Sequence, residues 1–186
     1  MNLSSYAELA VRLANSAVQA DGEADALSST EACEKTFSGC ITAPVSRRDL
    51  VVLQYLRAEF GAIFTAAAAG NDRAAISRLN ALLIQFPIQP ELVSHDDQRW
   101  HVHLARQGSL SDRLAAGAVI GIALTISLYG VSRLGICAIA SCPRVFVDAS
   151  PNQSRRYCAE HAARGNVSTL RTQPAALAGQ ATTAAS

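Results

Sequence analysis

Four residues constrain this chain more than any others. They are Cys137, Cys142, Cys158 and His161, spaced C-x4-C, then fifteen residues, then C-x2-H. Three thiols and an imidazole suit a tetrahedral zinc ion, which takes sulfur at about 2.3 Å and nitrogen at about 2.0–2.1 Å. Two close pairs joined by a longer segment predict a knuckle followed by a second pair at a helix start. Pro143 favours a tight turn after the first pair, and Phe146 with Val145 or Val147 is placed to cover the site. Four protein ligands leave no position for water or substrate, so the expected role of the metal is structural. The ordinary alternative is that Cys137 and Cys142 are small core residues, Cys158 is incidental and His161 is an exposed helix residue. It does not account for four ligand types falling within 25 residues.

The thiols must be reduced for this chemistry. The opening, Met1-Asn2-Leu3-Ser4-Ser5-Tyr6-Ala7-Glu8, has no basic leader, and Glu8 and Arg12 interrupt any apolar run. The expectation is a cytoplasmic protein in which cysteines act as ligands before they act as bridges. The chain has 186 residues, enough to bury a core without disulfides. With 49% hydrophobic residues it is not disordered throughout. Net charge is only +1, but it is sorted. Residues 133–171 carry six arginines and two acids, a balance of +4, while residues 1–132 carry a balance of −3. A basic module beside a mildly acidic body is an electrostatic footprint of nucleic-acid binding. Arg144, Arg155, Arg156, Arg164 and Arg171 are the candidate phosphate contacts, since the guanidinium fork matches phosphate. A merely solvated arginine face is the competing reading.

Alanine is abundant and aromatic residues make up only 5%, so helix should dominate. Residues 5–19 are ambiguous: Val11, Ala14 and Val18 have helical spacing, whereas Leu9, Val11 and Leu13 alternate. Residues 20–44 read as irregular or a short helix. Ser46 and Asp49 form a capping box opening a helix to about Ala69, with Leu50, Leu53, Leu56, Phe60 and Phe64 on one stripe. Gly70-Asn71 stops it, and Asp72 opens a second helix to about Gln85, with Ile76, Leu79, Leu82 and Leu83 as its apolar face. Residues 91–93 and 99–104 read as short strands joined by a turn. Leu114 to Ser132 is a run of 19 residues without a charge, capped by Ser111 and containing Gly117 and Gly121. A helix buried on all sides is the expectation, and no membrane partner is assigned. A membrane span and a helix hidden in a dimer fit the same run. The tail from Thr172 has no charge and no aromatic, and disorder is expected over 172–186.

The run Arg133-Leu134-Gly135-Ile136-Cys137, then Cys142-Pro143-Arg144-Val145-Phe146-Val147-Asp148-Ala149-Ser150, then Arg155-Arg156-Tyr157-Cys158 resembles the CGNR zinc-finger proteins. Their signature is a leading Arg-Leu, a cysteine pair, Phe-x-Asp-x-Ser and Arg-Arg-Trp/Tyr-Cys. The eponymous Cys-Gly-Asn-Arg is replaced here by Cys158-Ala159-Glu160-His161, so His161 stands in for the fourth cysteine. Upstream, Tyr6 to Ser16 resembles the opening strand and Asn-Thr step of the partner domain, ABATE. Leu79-Asn80-Ala81-Leu82-Leu83 and the Trp100 strand fit its middle. The resemblance spans about 6–171. It implies an α+β protein: a helix-rich ABATE-like body with a small antiparallel sheet (1–132) and a treble-clef-like zinc finger (133–171). It also implies a stress-linked transcription regulator that binds DNA.

The expected function is therefore DNA binding through the finger, with the body sensing a signal or dimerising. The expected cofactor is Zn2+, and the expected partners are DNA, a homodimer and a small-molecule effector. Trp100 and Arg99 are candidates to line an effector pocket, although Trp is more often core. Two other classes stay open. A zinc-stabilised interaction or dimerisation module would touch no nucleic acid. An enzyme with a pocket between body and finger would need convergent acids or histidines. No phosphate loop or hydrolase motif occurs, and no catalytic residue is expected. Cys33 and Cys40 form C-x6-C, and a second metal there would need His95, His101 or His103.

Overall fold

The computed structural model describes residues 3–17, 25–41, 43–94, 100–104 and 108–163. Arg99, His95, Arg164, Arg171 and the tail lie outside them, as do the side chains of His101 and His103. The described elements are α1 (Leu3–Ala14), α2 (Thr30–Phe37), α3 (Arg47–Ala68), α4 (Asp72–Gln85), β1 (Glu91–Val93), β2 (His101–His103), α5 (Leu110–Tyr129), a 3-10 turn (Val131–Arg133), β3 (Leu134–Ile136), β4 (Val145–Val147) and α6 (Ala159–Ala163).

The opening segment is helical, not the strand that the resemblance implied. Its mixed periodicity has a physical cause. α1 packs against α5, α3 and β4, and Ala7, Leu9, Ala10, Val11 and Leu13 are all buried. The buried arc is wide enough to take in residues two apart as well as three and four apart, while Ser5 and Glu8 stay exposed on the opposite face. Gly121 of α5 permits the closest approach: a Cβ there would lie 2.4 Å from the Ala7 nitrogen.

α3 begins at the expected capping box. The Ser46 hydroxyl accepts from the Asp49 amide at 3.1 Å, and Asp49 accepts from the Ser46 amide at 3.0 Å. Leu53, Leu56, Phe60 and Phe64 are buried, whereas Leu50 is half-buried. Gly70, with φ +72°, ends the helix in the left-handed region that glycine tolerates. α4 starts at Asp72, as the sequence predicts, and Asn71 caps it by accepting from the Ala74 amide. Ile76 is exposed on α4 and Ala75 is buried instead, one position round the helix.

α5 is apolar all round, and α1, α3 and α4 cover it. By length and composition alone, α3 and α5 would each cross a membrane, yet 61% of the apolar window of α5 is buried inside the fold. Its cap is Ser109, two residues before the expected Ser111, with Asp112 completing a capping box. Ser111 is engaged elsewhere, since its amide donates to Asp49 at 2.9 Å. One carboxylate thus joins the starts of α3 and α5.

Both sheets are two-stranded and antiparallel. In the first, Leu92 pairs with Val102. The neighbouring Trp100, a candidate to line an effector pocket, is 72% exposed and lines neither of the two cavities beside the finger. In the second, Leu134 pairs with Val147, Gly135 with Phe146 and Ile136 with Val145. β3 rests on α3 and β4 on α1. Val131, Leu134 and Val145 belong to the same core as the helices.

Candidate metal centre

The connection from β3 to β4 is residues 137–144, and it holds the first cysteine pair. The knuckle closes through the Cys142 amide donating to Ile139 at 2.9 Å. The Cys137 amide donates to the Arg144 carbonyl at 2.8 Å, and the Ala138 amide to the Arg156 carbonyl at 2.8 Å. The last of these pins the incoming second segment onto the knuckle. Cys158 immediately precedes α6, and His161 lies within its first turn. The expected arrangement, a knuckle and then a pair at a helix start, is what the chain adopts.

The four ligand atoms lie within 4.8 Å of one another. His161 Nδ1 is 3.4 Å from the sulfurs of Cys137 and Cys158, and Cys142 Sγ is 3.9 Å from Cys158 Sγ. A tetrahedral ion with ordinary zinc bond lengths would place two sulfurs about 3.8 Å apart and a sulfur and a nitrogen about 3.5 Å apart. These three separations match, the whole set lies within 4.8 Å, and all five cysteines are free thiols. All three cluster cysteines are buried and His161 is half-buried. Burial pushes the Cys142 thiol up to about 11, against an opposing hydrogen bond from the Arg144 amide; Cys137 and Cys158 raise it further. Three thiolates held this close repel one another unless a cation lies among them, and the donor set therefore fits a metal ion.

The turn after β4 explains the Phe-x-Asp-x-Ser stretch. Asp148 accepts from the Ser150 amide at 2.8 Å and hydroxyl at 2.6 Å, and from the Arg155 amide at 3.0 Å. Burial opposes ionisation of Asp148, but the Ser150 and Arg155 bonds, with the Arg133 charge, hold its carboxyl below the usual range. Arg133 donates to the carbonyls of Asp148 and Ser150 and lies over the Tyr129 ring at 5.7 Å.

The arginines separate by role. Arg144 is buried, and its guanidinium pairs with Glu160. Arg155 donates to the carbonyls of Tyr157 at 3.0 Å and Val147 at 3.2 Å and stacks on Phe146, 5.1 Å from the ring centre. Arg156 is exposed. Arg164 and Arg171 lie outside the described residues. Away from the cluster, Cys33 is buried in the core, and Cys40 accepts from Arg12 at 3.3 Å. Among the described residues they are part of no metal-ligating group.

Sequence reasoning missed Asn15. Its side-chain amide donates to the Val145 carbonyl at 2.9 Å, and its carbonyl oxygen accepts from the Val145 amide at 2.8 Å. The residue after α1 therefore docks on the open edge of β4 as a neighbouring strand would. The Asn in the Asn-Thr-like step of the resemblance was the one available signal.

Two family models match the chain. ABATE, described as "Putative stress-induced transcription regulator", matches residues 7–126, and the CGNR zinc finger matches residues 133–173. Among curated proteins, none matches.

Proposed function

The chain belongs to the ABATE family and carries a CGNR zinc finger, and from that membership we propose that it is a DNA-binding transcription regulator. In this reading the finger contacts the duplex, and the body senses a signal or dimerises. Zinc is the metal assigned to Cys137, Cys142, Cys158 and His161. Bound there, it supplies charge neutralisation and a cross-link, and the closed ligand set assigns it no catalytic step.

The observation that supports contact with DNA is the exposed Arg156. It is fixed two residues before a metal ligand by the hydrogen bond from the Ala138 amide to its carbonyl. The metal cross-link and that bond hold the backbone still, so the arginine is presented to solvent from a fixed point on the finger. The net positive charge of 133–171 adds a sequence-independent attraction. Arg164 and Arg171 complete the basic set. Arg144 and Arg155 serve the fold of the finger and contribute to the field more than to direct contact. Most protein–DNA hydrogen bonds go to the backbone, so this set supports affinity with modest sequence choice.

A duplex titration of the metal-loaded chain at two salt concentrations tests the reading. Binding should weaken steeply with salt, and Arg156→Ala combined with Arg164→Ala should lower the affinity and reduce the salt slope by about two. Equal binding by wild type and variant would remove these arginines from the interface. Absence of binding by either, with salt-insensitive self-association, would favour the second reading, a metal-stapled dimerisation module. The exposed Leu124, Leu128 and Tyr129 at the end of α5 favour that reading.

A further inference from the structure

Between α1 and the finger lies a cavity of about 420 Å³, within the range for small-molecule sites. Two arginines line it from opposite sides of the seam. Arg12 comes from α1 and lies over the Phe37 ring at 5.2 Å. It donates to the Thr36 carbonyl and to Cys40 Sγ. Arg155 comes from the finger and lies over Phe146 in the same way. Every acceptor described for these two guanidinium groups is a carbonyl oxygen or a thiol sulfur. Neither has a carboxylate within ion-pair distance among the described residues. Each is therefore oriented without a carboxylate partner among the described residues. By contrast, Arg144 on the same wall is paired with Glu160. Arg133, which lines a second cavity across Arg155, has Asp148 at 4.0 Å.

The remaining walls include Val11, Val145, Phe146 and Val147. We propose that this cavity binds a small organic carboxylate with an apolar body, its oxygens on Arg12 and Arg155 and its body against the valines. Guanidinium forks held on aromatic faces suit a carboxylate because little side-chain freedom remains to be lost on binding. Glu8 also lines the cavity and opposes an anion, so its charge sets a sign that the test can read. Because the cavity is built half from α1 and half from the finger, an occupant would be felt by both.

The test is a titration of the full metal-loaded chain with benzoate, without DNA, following the Asn15 and Val145 amides by NMR. Benzamide and inorganic phosphate serve as comparison probes. Saturable one-to-one binding of benzoate is expected, at least tenfold tighter than that of either comparison probe. Arg12→Gln should weaken it at least tenfold. Glu8→Gln should tighten it; Glu8 is exposed and makes no described bond, so this variant keeps the fold. Benzamide binding as well as benzoate, phosphate binding as tightly, no saturable benzoate binding, or a Glu8→Gln chain that binds no tighter would each overturn the proposal. No DNA is present, so either result leaves the duplex titration to stand or fall by itself.

Discussion

Asn15 shows how one side chain can substitute for a strand. Its two hydrogen bonds satisfy both backbone groups of Val145 on the edge of β4. Asn15→Ala leaves that amide and carbonyl without their partner at a half-buried seam. A loss of about 1–3 kcal/mol is expected, the usual consequence of orphaning such groups. A urea midpoint on the metal-loaded chain measures it, with metal content unchanged; a midpoint indistinguishable from wild type would show that water takes over both bonds. The partners are 130 residues apart, so no local pattern could announce the contact. The metal cluster was legible for the opposite reason: its four ligands fall in 25 residues, and spacing alone carries the chemistry. The same cluster also redirected an arginine. Arg144 and Glu160 each follow a ligand by two positions, Cys142 and Cys158, and those sulfurs are 3.9 Å apart. The geometry that holds the metal thus brings the two charges together. A count of charges along the chain sees an available arginine where folding makes an ion pair.

At the level of elements, caps and close approaches decide how the helices meet. Asp49 accepts from Ser46 at the start of α3 and from Ser111 at the start of α5. Burial alone would raise its carboxyl, but these bonds win and hold it at about 2. A folded value below the unfolded one of about 3.9 stabilises the native state above pH 4, and that stability is lost as pH falls toward 2. The shift corresponds to about 2 kcal/mol. Asp49→Asn should therefore be less stable than wild type by about that amount at pH 7, with the gap closing between pH 4 and pH 2. Denaturant midpoints across that range measure it, and a constant gap would mean the carboxylate charge is not what matters. The glycines give a paired contrast. A Cβ at Gly121 meets the backbone of Tyr6 and Ala7, which cannot swing aside, whereas one at Gly61 in α3 meets nothing within 4 Å. Gly121→Ala should cost about 1–3 kcal/mol by forcing α1 and α5 apart. Gly61→Ala should stabilise by about 0.5–1 kcal/mol through helix propensity. Thermal melts of both read the difference in sign. The capping box of α3 was legible because its two residues are three apart. The same spacing stands at Ser109 and Asp112, but Ser111 offers a competing cap in the sequence, and only the fold shows the distant carboxylate that engages it.

In the whole molecule, the charge boundary at residue 133 is not a packing boundary. The chain changes from mildly acidic to basic there, yet Leu134 and Val145 of the finger hairpin are buried with the helices in one core. Among the described residues, only the cysteine cluster, with Ile139 and Tyr157 against it, forms a separate small nucleus. Composition could not reveal this, because charge is read from exposed residues and the shared core is made of valines and leucines on both sides. The consequence is testable by removing the metal. If the finger were an independent bead, chelation would unfold it and leave the body intact. Since β3 covers α3, and β4 with Asn15 fixes the end of α1, loss of the metal should loosen the body as well. Metal bound only by the folded state stabilises whatever unfolds with its site. Cys33 reports on this from a distance: it is fully buried on α2, and burial pushes its thiol up to about 11. In a Cys40→Ser background, a chelator should raise the rate of Cys33 labelling by at least tenfold, together with labelling of Cys137, Cys142 and Cys158. If those three became reactive while Cys33 stayed protected, the finger and body would be separate cooperative units, and the shared core would not couple them.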